Sequence, residues 1–312
     1  MSCGHLSAVK VSVIIPTLNA AGYLPRLLPA LRGQTLPPAE IILMDSSSAD
    51  KTAELGREAG CIVEVIDRSE FNHGGTRNRG AARASGEVLV FMTQDVSPAD
   101  ERFIEELTRP IREKNAAAAY ARQIPYPDAP PPEAFARNFN YPEGSFSKRA
   151  EDIPRMGIKA YFFSDAASAV SKADFDAVGR FPEHVIVNED MWLCAKLLQS
   201  GRTVSYAAEA RAMHSHHYTL RQQFTRYFDI GVFMRQSREV LQNARSGGEG
   251  VRFLGKMIGY LARRGAWFWI PYCVIESGVK FTAFRLGIWE HLLPLGLKRR
   301  FSMHSRYWAR QQ

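Results

Sequence analysis

Four short stretches hold the side chains best suited to chemistry. "TQD" (Thr93–Asp95) places a carboxylate just past an apolar run. Hard cations such as Mg2+ or Mn2+ prefer such oxygens and often bind through one or two carboxylates plus substrate phosphates. The same aspartate also suits ordinary turn chemistry. "NED" (Asn188–Asp190) puts two acids at a helix start, where they either serve as a general base or simply answer the helix dipole. In "MHSHHY", His214 and His216 share one face of a strand and His217 the other. One imidazole there could complete a metal site with Asp95. "SEFNHGGTRNRG" (Ser69–Gly80) joins paired glycines to Arg77 at the opening of an alanine-rich helix. A Gly-Gly turn can form an anion nest, and the planar guanidinium suits a phosphate or a base; the plainer alternative is a helix start with solvated arginines. The spacing is neither GxxxxGK[ST] nor GxGxxG, so kinase-type and NAD-type readings lose support.

These residues need a scaffold, and the first 95 positions supply its pattern. "VSVII", "EIILM", "CIVEVI" and "EVLVFM" are short, β-branched, apolar runs of the length of buried parallel strands. Between them lie helical patterns: Leu24, Leu27, Leu28 and Leu31 recur at i, i+3, i+4 and i+7, and "ADKTAELGREAG" ends on the C-cap candidate Gly60. Alternation of this kind implies βαβ units with right-handed crossovers. Each loop after a strand is polar ("PTLN", "DSSSAD", "DRSEFNHGG", "TQD"), and in an open parallel sheet such loops share the edge where ligands bind. Asp45, which closes the second strand, is placed either to accept from a nucleobase N–H or a ribose hydroxyl, or to cap the next helix. Further on, "ERFIEELTRPIREK" predicts a helix, "AAAAYARQI" a strand, "IPYPDAPPPE" a loop and "NYPEGSFSKRAEDIPRMG" a mobile polar stretch. "NEDMWLCAKLLQSG" predicts a helix ending at Gly201, and "TVSYAAEARAMHSHH" a strand running into the histidines.

Bulk properties narrow the classes. The chain has 312 residues, 46% of them hydrophobic, which supports a full core and argues against wholesale disorder. The four cysteines include no CxxC pair, so neither a disulfide framework nor a zinc-thiolate site is expected. "MSCGHLSAVK" lacks the apolar segment of a secretory signal, and no uncharged run reaches transmembrane length. The net charge of +8 is uneven: from Val251 onward 11 Lys and Arg face only Glu276 and Glu290. A basic, aromatic tail suits an anionic membrane surface, or a helical subdomain packing on the catalytic core or on a second copy in a homodimer. No nucleic-acid motif accompanies the charge, so no nucleic-acid partner is expected.

Taken in order, "VIIPTLN", "DSSSAD", "GGTRNRG", "TQD", "GRFPE…NED" and "HSH" resemble family 2 glycosyltransferases over about residues 10–235, and "FNHGGTRN" with the ending "LKRRFSMHSRYW" resembles their rhamnosyltransferase-like branch. The resemblance implies an α/β, GT-A nucleotide-binding fold with a mostly parallel central sheet flanked by helices, and a helical C-terminal extension over 236–312. Within 1–235, about 10–97 would hold the nucleotide-sugar and about 98–235 the acceptor and the base. Carried over residue by residue, Pro16, Thr17, Asn19, Asp45, Ser47, His73, Gly74, Arg77, Gln94 and Asp95 would bind the donor. Asp190 would be the catalytic base with Glu189 beside it. Asp95 with His214, and His216 second, would hold Mg2+ or Mn2+, and Trp192 and Tyr218 would face the acceptor.

The implied reaction is inverting transfer of one sugar, L-rhamnose from dTDP-L-rhamnose, to a glycan acceptor, polyprenyl-diphosphate-linked in cell-surface polysaccharide synthesis. The enzyme would be cytoplasmic and peripheral at the inner face of the plasma membrane. A UDP-sugar donor is the alternative, and a non-catalytic nucleotide-sugar-binding protein a further one. Two departures matter: Thr93 stands where the family's DxD motif has its first acid, and "RQQFTRYF" stands near the place of the QxxRW motif of processive synthases. The second favours single transfer. A nucleotidyltransferase would need a basic phosphate loop after the first strand, but "PTLNAAGY" has no Lys or Arg before Arg26.

Overall fold

The computed structural model describes residues 9–215, 218–242 and 248–309. In chain order its elements are β1 (Val11–Thr17), α1 (Leu24–Arg32), β2 (Glu40–Asp45), α2 (Thr52–Glu58), β3 (Ile62–Val65), α3 (His73–Arg83), β4 (Val88–Met92), β5 (Ser97–Pro98) and α4 (Phe103–Arg112). They continue with β6 (Ala118–Ile124), α5 (Pro131–Asn140), β7 (Phe146–Lys148), α6 (Ile153–Met156), β8 (Ala167–Ser171), α7 (Lys172–Ala177), α8 (Glu189–Gln199) and β9 (Val204–Met213). Helices α9 (Leu220–Gln236), α10 (Glu249–Arg263), α11 (Trp269–Ile288) and α12 (Leu295–Phe301) follow.

Nine strands form one sheet in the order β3-β2-β1-β4-β8-β6-β9-β5, with β7 also on β9. The nucleotide half is parallel throughout, as its apolar runs predict. Beyond β4 the sheet is mixed: β8 is antiparallel to both β4 and β6, and β6 runs parallel to β9. The mostly parallel expectation therefore describes the first half only. A strand's direction depends on which neighbour it meets in space, which periodicity does not record. Alternate residues of β1 face opposite cores: Ile14 joins one hydrophobic cluster, Val13 and Ile15 the other. All four leucines of the α1 stripe are buried, as the spacing requires.

Two expectations change. Pro131 opens α5 at a position where its missing N–H costs nothing, so part of the proline-rich stretch is helical. The polar stretch expected to be mobile contains β7 and α6, and its Lys148 is fully buried, donating to the Phe162 carbonyl. The extension packs on the body. At the α9–α11 crossing, a Cβ on Gly231 would lie 2.3 Å from the Phe284 carbonyl oxygen and one on Gly287 2.1 Å from that of Phe228. Only glycine permits that approach.

Candidate active site

The loops after β1 and β2 interlock. Thr17 pairs with Asp45 in register. Thr17 Oγ1 donates to Asp45 Oδ1 at 3.2 Å, and the Ser48 N–H to Asp45 Oδ2 at 3.0 Å. Asn19 donates its N–H to Ser48 Oγ (2.8 Å) and accepts the Ala49 N–H at Oδ1 (2.9 Å). Asn19 and Ser47 both lie in the left-handed region (φ 51 and 53), uncommon for residues with a side chain and common where loops serve a ligand. Ser47 Oγ donates to the Ile66 carbonyl. Gln94 ties in the loop after β4, accepting the Leu18 N–H at 2.8 Å and donating to the Leu18 carbonyl at 3.1 Å. Thr17, Asn19, Asp45, Ser47 and Gln94 thus interlock along one edge, with Pro16 beside them in register with Met44. Asp45 is 2% exposed and its carboxylate knits this edge together.

The "HGG" stretch is not an open anion nest. His73, Gly74 and Gly75 form the first turn of α3, capped by Asn72, whose Oδ1 takes the Gly75 N–H. Gly74 is required because a Cβ there would lie 2.2 Å from the Pro182 carbonyl oxygen. A Cβ on Gly75 would lie 3.3 Å from the Glu183 carboxyl carbon, so a protein carboxylate already occupies this helix end. Arg77 turns inward and is 3% exposed. Its Nε lies 2.9 Å from Asp165 Oδ2, and its Nη1 lies 3.2 Å from Glu189 Oε1 and 2.9 Å from the His73 carbonyl. Arg77 therefore organises carboxylates; in this arrangement it does not reach for a phosphate.

Asp165 carries no signal of its own in the sequence, where "SDAAS" offers only a lone acid between apolar runs. In the fold it is the hub. Its N–H donates to Asp190 Oδ2 at 3.3 Å, and the Met191 N–H donates to Asp190 Oδ1 at 2.7 Å. The neighbouring Ala166 carbonyl accepts the Thr93 N–H, and Ser164 Oγ accepts from Gln123 Nε2 at 2.8 Å. Residues 164–166 thereby join the Asp190 cluster to the Asp95 loop. Asn188, just before the acids, is also left-handed (φ 59). Burial pushes the Asp190 carboxyl up to about 7, with help from the Asp165 charge. Asp165 also rises to about 7, through burial first, while Arg77 pulls it down. Glu189 is raised, again chiefly by burial. Three carboxyl groups around one guanidinium cannot all ionise cheaply out of water, so the cluster retains a proton near neutral pH.

The second centre forms where β5 pairs with β9. The Ser97–Met213 register sets Asp95 beside His214. His214 Nδ1 lies 2.7 Å from Gln123 Oε1, and that oxygen also accepts from Arg137. Arginine only donates, so the oxygen's identity is fixed, Nδ1 carries the proton and Nε2 keeps its lone pair. Nε2 faces Asp95 Oδ2 at 3.6 Å. Burial lowers the His214 pKa against the upward pull of Asp95, which favours the neutral ring. A carboxylate oxygen and an oriented imidazole nitrogen at this separation fit two ligands of one divalent ion. Among the described residues no group of three or more His, Cys, Asp or Glu is arranged to hold a metal alone. The donor set is thus of the sparse kind that Mg2+ and Mn2+ complete with phosphates. His216 lies outside the described residues.

The expected acceptor residues each carry a ring contact of their own. Trp192 lies two residues beyond Asp190 on α8, about 200° around the helix, and packs edge-on to His184 with Lys196 over its ring. Tyr218 lies under the Arg226 guanidinium at 5.5 Å.

Comparison with known proteins follows the same lines. The model of "Glycosyl transferase family 2" matches residues 12–179. The chain is 41% identical to the O-antigen chain rhamnosyltransferase RfbN of Salmonella typhimurium, over 96% of both chains. It is 40% identical to the O-antigen chain rhamnosyltransferase WbaN of Salmonella anatum, over 95% of both. Among solved structures, the mannosyltransferase PcManGT of Pyrobaculum calidifontis, in complex with GDP-Man and Mn2+, superposes with a TM-score of 0.63 at 16% identity, covering 91% of this chain and 88% of that one. Residues 1–349 of S. aureus TarS give 0.53 at 18% identity, covering 89% and 90%. These likenesses establish the GT-A fold.

Proposed function

The chain belongs to glycosyl transferase family 2, and from that premise we propose that it moves a single L-rhamnose from dTDP-L-rhamnose onto a hydroxyl of a glycan acceptor in O-antigen synthesis, with inversion. The observation that carries the mechanism is Asp190. It is a carboxylate raised to about 7, held by two backbone N–H groups and joined through residues 164–166 to the Asp95–His214 pair. A base with that pKa is half ionised near neutral pH, close to the optimum for proton transfer. Asp190 takes the acceptor hydroxyl proton, the oxygen forms its bond to C1, and the C1–O bond to the diphosphate breaks with its electron pair leaving on the nucleotide. Asp95 and His214 would hold Mg2+ or Mn2+, which when bound neutralises charge on the departing diphosphate. With Thr93 in place of an acid, His214 would be the second protein ligand. Arg77, Asp165 and Glu189 form the buried cluster around Asp190, in which burial first and then the Asp165 charge raise its pKa while Arg77 lowers it.

The donor edge would be built by Pro16, Thr17, Asn19, Asp45, Ser47 and Gln94. The rhamnosyl assignment rests on the two relatives named for that activity. A UDP-sugar donor is the competing reading.

We also place the enzyme at an anionic membrane, where a polyprenyl-diphosphate-linked acceptor would reside. No helix of the described residues is long and apolar enough to cross one. Instead, α11 turns an outward stripe of Pro271, Val274, Ile275, Phe281 and Arg285 to solvent, followed by exposed Trp289 just past its end and headed by exposed Trp267 and Phe268 and by Arg263 and Arg264. The two acids of this region are buried and paired inward, Glu276 with Lys280 and Glu290 with Lys298. An apolar stripe with arginines at both ends and no carboxylate suits a helix lying in the headgroup layer.

The donor is tested by titration calorimetry of dTDP, UDP and GDP with and without Mg2+ or Mn2+. Metal-dependent preference for dTDP supports the reading; preference for UDP discards rhamnose and keeps the mechanism.

A further inference from the structure

The ending "FSMHSRYW" has no part in the mechanism above, yet the fold brings it back to the catalytic body at four points. Asp229 of α9, fully buried, accepts the Met303 N–H at 2.8 Å. Arg306 Nη1 donates to the Arg68 carbonyl at 2.8 Å, in the loop before α3. The Tyr307 hydroxyl lies 2.8 Å from Gln236 Oε1 and 3.3 Å from the His184 carbonyl. Trp308, 2% exposed, packs into the same hydrophobic cluster as Phe91 and Leu193, with Lys298 over its ring at 5.1 Å.

These ties lay the His304 ring edge-on against His73, with centroids 4.9 Å apart and planes at 87°. His73 is the first residue of α3. Its Nδ1 stands 3.8 Å from Glu189 Oε1, and its Nε2 is enclosed with no hydrogen-bond partner. Phe71 packs on His73 at 5.0 Å. From Glu189 the contacts run to Arg77, then Asp165, then Asp190. A residue nearly at the C-terminus is therefore one aromatic contact from the base cluster.

We propose that His304 is a positioning residue: the C-terminal clip presses it onto His73, which keeps Glu189 dry and fixed and so holds the Asp190 cluster in its working state. This rests on the reading of Asp190 as the base. The physical reason is that burial is the largest influence raising Asp165, Glu189 and Asp190. Removing the ring would let His73 swing out and water reach Glu189, which favours the ionised carboxylates and loosens their geometry. The groups facing Glu189 in this arrangement are His73 and Arg77 from α3, Asp165 from the strap before β8 and Asp190 from its own helix.

The test compares His304→Ala and His304→Phe with the wild-type enzyme, using dTDP-L-rhamnose and dTDP release across pH 5–9. Thermal unfolding checks that each variant is folded. His304→Ala is expected to lose about 10–100-fold in kcat, with KM for the donor little changed and the acid limb moved to lower pH. His304→Phe keeps an aromatic edge on His73 and is expected to restore most of kcat and the wild-type limb. Arg306→Ala, which touches neither core nor cluster, is expected to shift the limb in the same direction by less. His73 ring resonances give a readout that needs no turnover: they should move in His304→Ala and return in His304→Phe. A folded His304→Ala enzyme with wild-type kcat, pH limb and His73 resonances overturns the proposal, as does a His304→Phe variant as impaired as His304→Ala. Loss of the base assignment would look different: Asp190→Asn would retain turnover while the His304 pair still separated in kcat and in the His73 resonances.

Discussion

Arg77 Nε meets Asp165 Oδ2 at 2.9 Å, and the same guanidinium reaches Glu189 Oε1 at 3.2 Å, so one buried cation anchors acids from two distant segments. Removing it would leave buried carboxylates without their counter-ion, which is typically far more costly than losing a surface pair. Arg77→Met should therefore destabilise the fold by about 3–5 kcal/mol, measured by denaturant unfolding. A loss of only a few tenths would place Arg77 outside the cluster's support.

Asp190→Asn removes the proton acceptor and keeps the shape. Turnover should fall by about 10²–10⁴-fold while calorimetric affinity for dTDP stays within a few-fold. Wild-type turnover in this variant would sink the general-base role.

The same carboxylate sets a pH signature. A base with a raised pKa of about 7 works only when ionised, so kcat/KM should climb as pH rises through about 7 and level off above it. A limb near pH 4 would mean that the residue titrates as an ordinary exposed aspartate.

Stability should run the opposite way. Burial raises Asp229 to about 7 in the folded chain, far above its ordinary value near 4. Between those values the folded state holds more protons than the unfolded one, so stability is fully present below about pH 4 and declines toward pH 7. Asp229→Asn should flatten the fall in Tm between pH 5 and pH 8. An unchanged difference between the two proteins would assign the effect to other groups.

Gln123 fixes the His214 tautomer, so Gln123→Met should weaken Mn2+ binding by about 10–100-fold, read by calorimetry in the presence of dTDP. Unaltered metal affinity would show that His214 is not a ligand oriented in this way.

The apolar stripe of α11 makes a separate claim. Phe281→Asp with Ile275→Asp should abolish co-sedimentation with phosphatidylglycerol vesicles. Burial of two such side chains is worth about 3–6 kcal/mol. Equal sedimentation of variant and wild type would take that face out of any membrane contact.

The sequence by itself determined the parallel nucleotide half. Apolar runs of strand length, the leucine stripe of α1 and the glycine stops at Gly60 and Gly201 encode elements through local periodicity and backbone sterics, which need no partner. It also offered Asp95, Glu189, Asp190 and His214 as candidates, each with an ordinary structural alternative, and only the order of the motifs together singled them out. What only the tertiary structure decided is which of these groups meet. Asp165 is a lone acid in sequence and the hub in space, because β8 inserts antiparallel beside β4 and swings residues 164–166 across the sheet edge. In sequence Arg77 suits either an anion or a solvated helix start; the packing of α3 on the Pro182 carbonyl turns its guanidinium inward instead. His304 meets His73 where the ties of Met303 to Asp229 and of Arg306 to the Arg68 carbonyl lay the end of the chain beside α3. Local pattern fixes an element's conformation; burial and long-range pairing fix which charges share a low-dielectric space, and that sharing sets their chemistry.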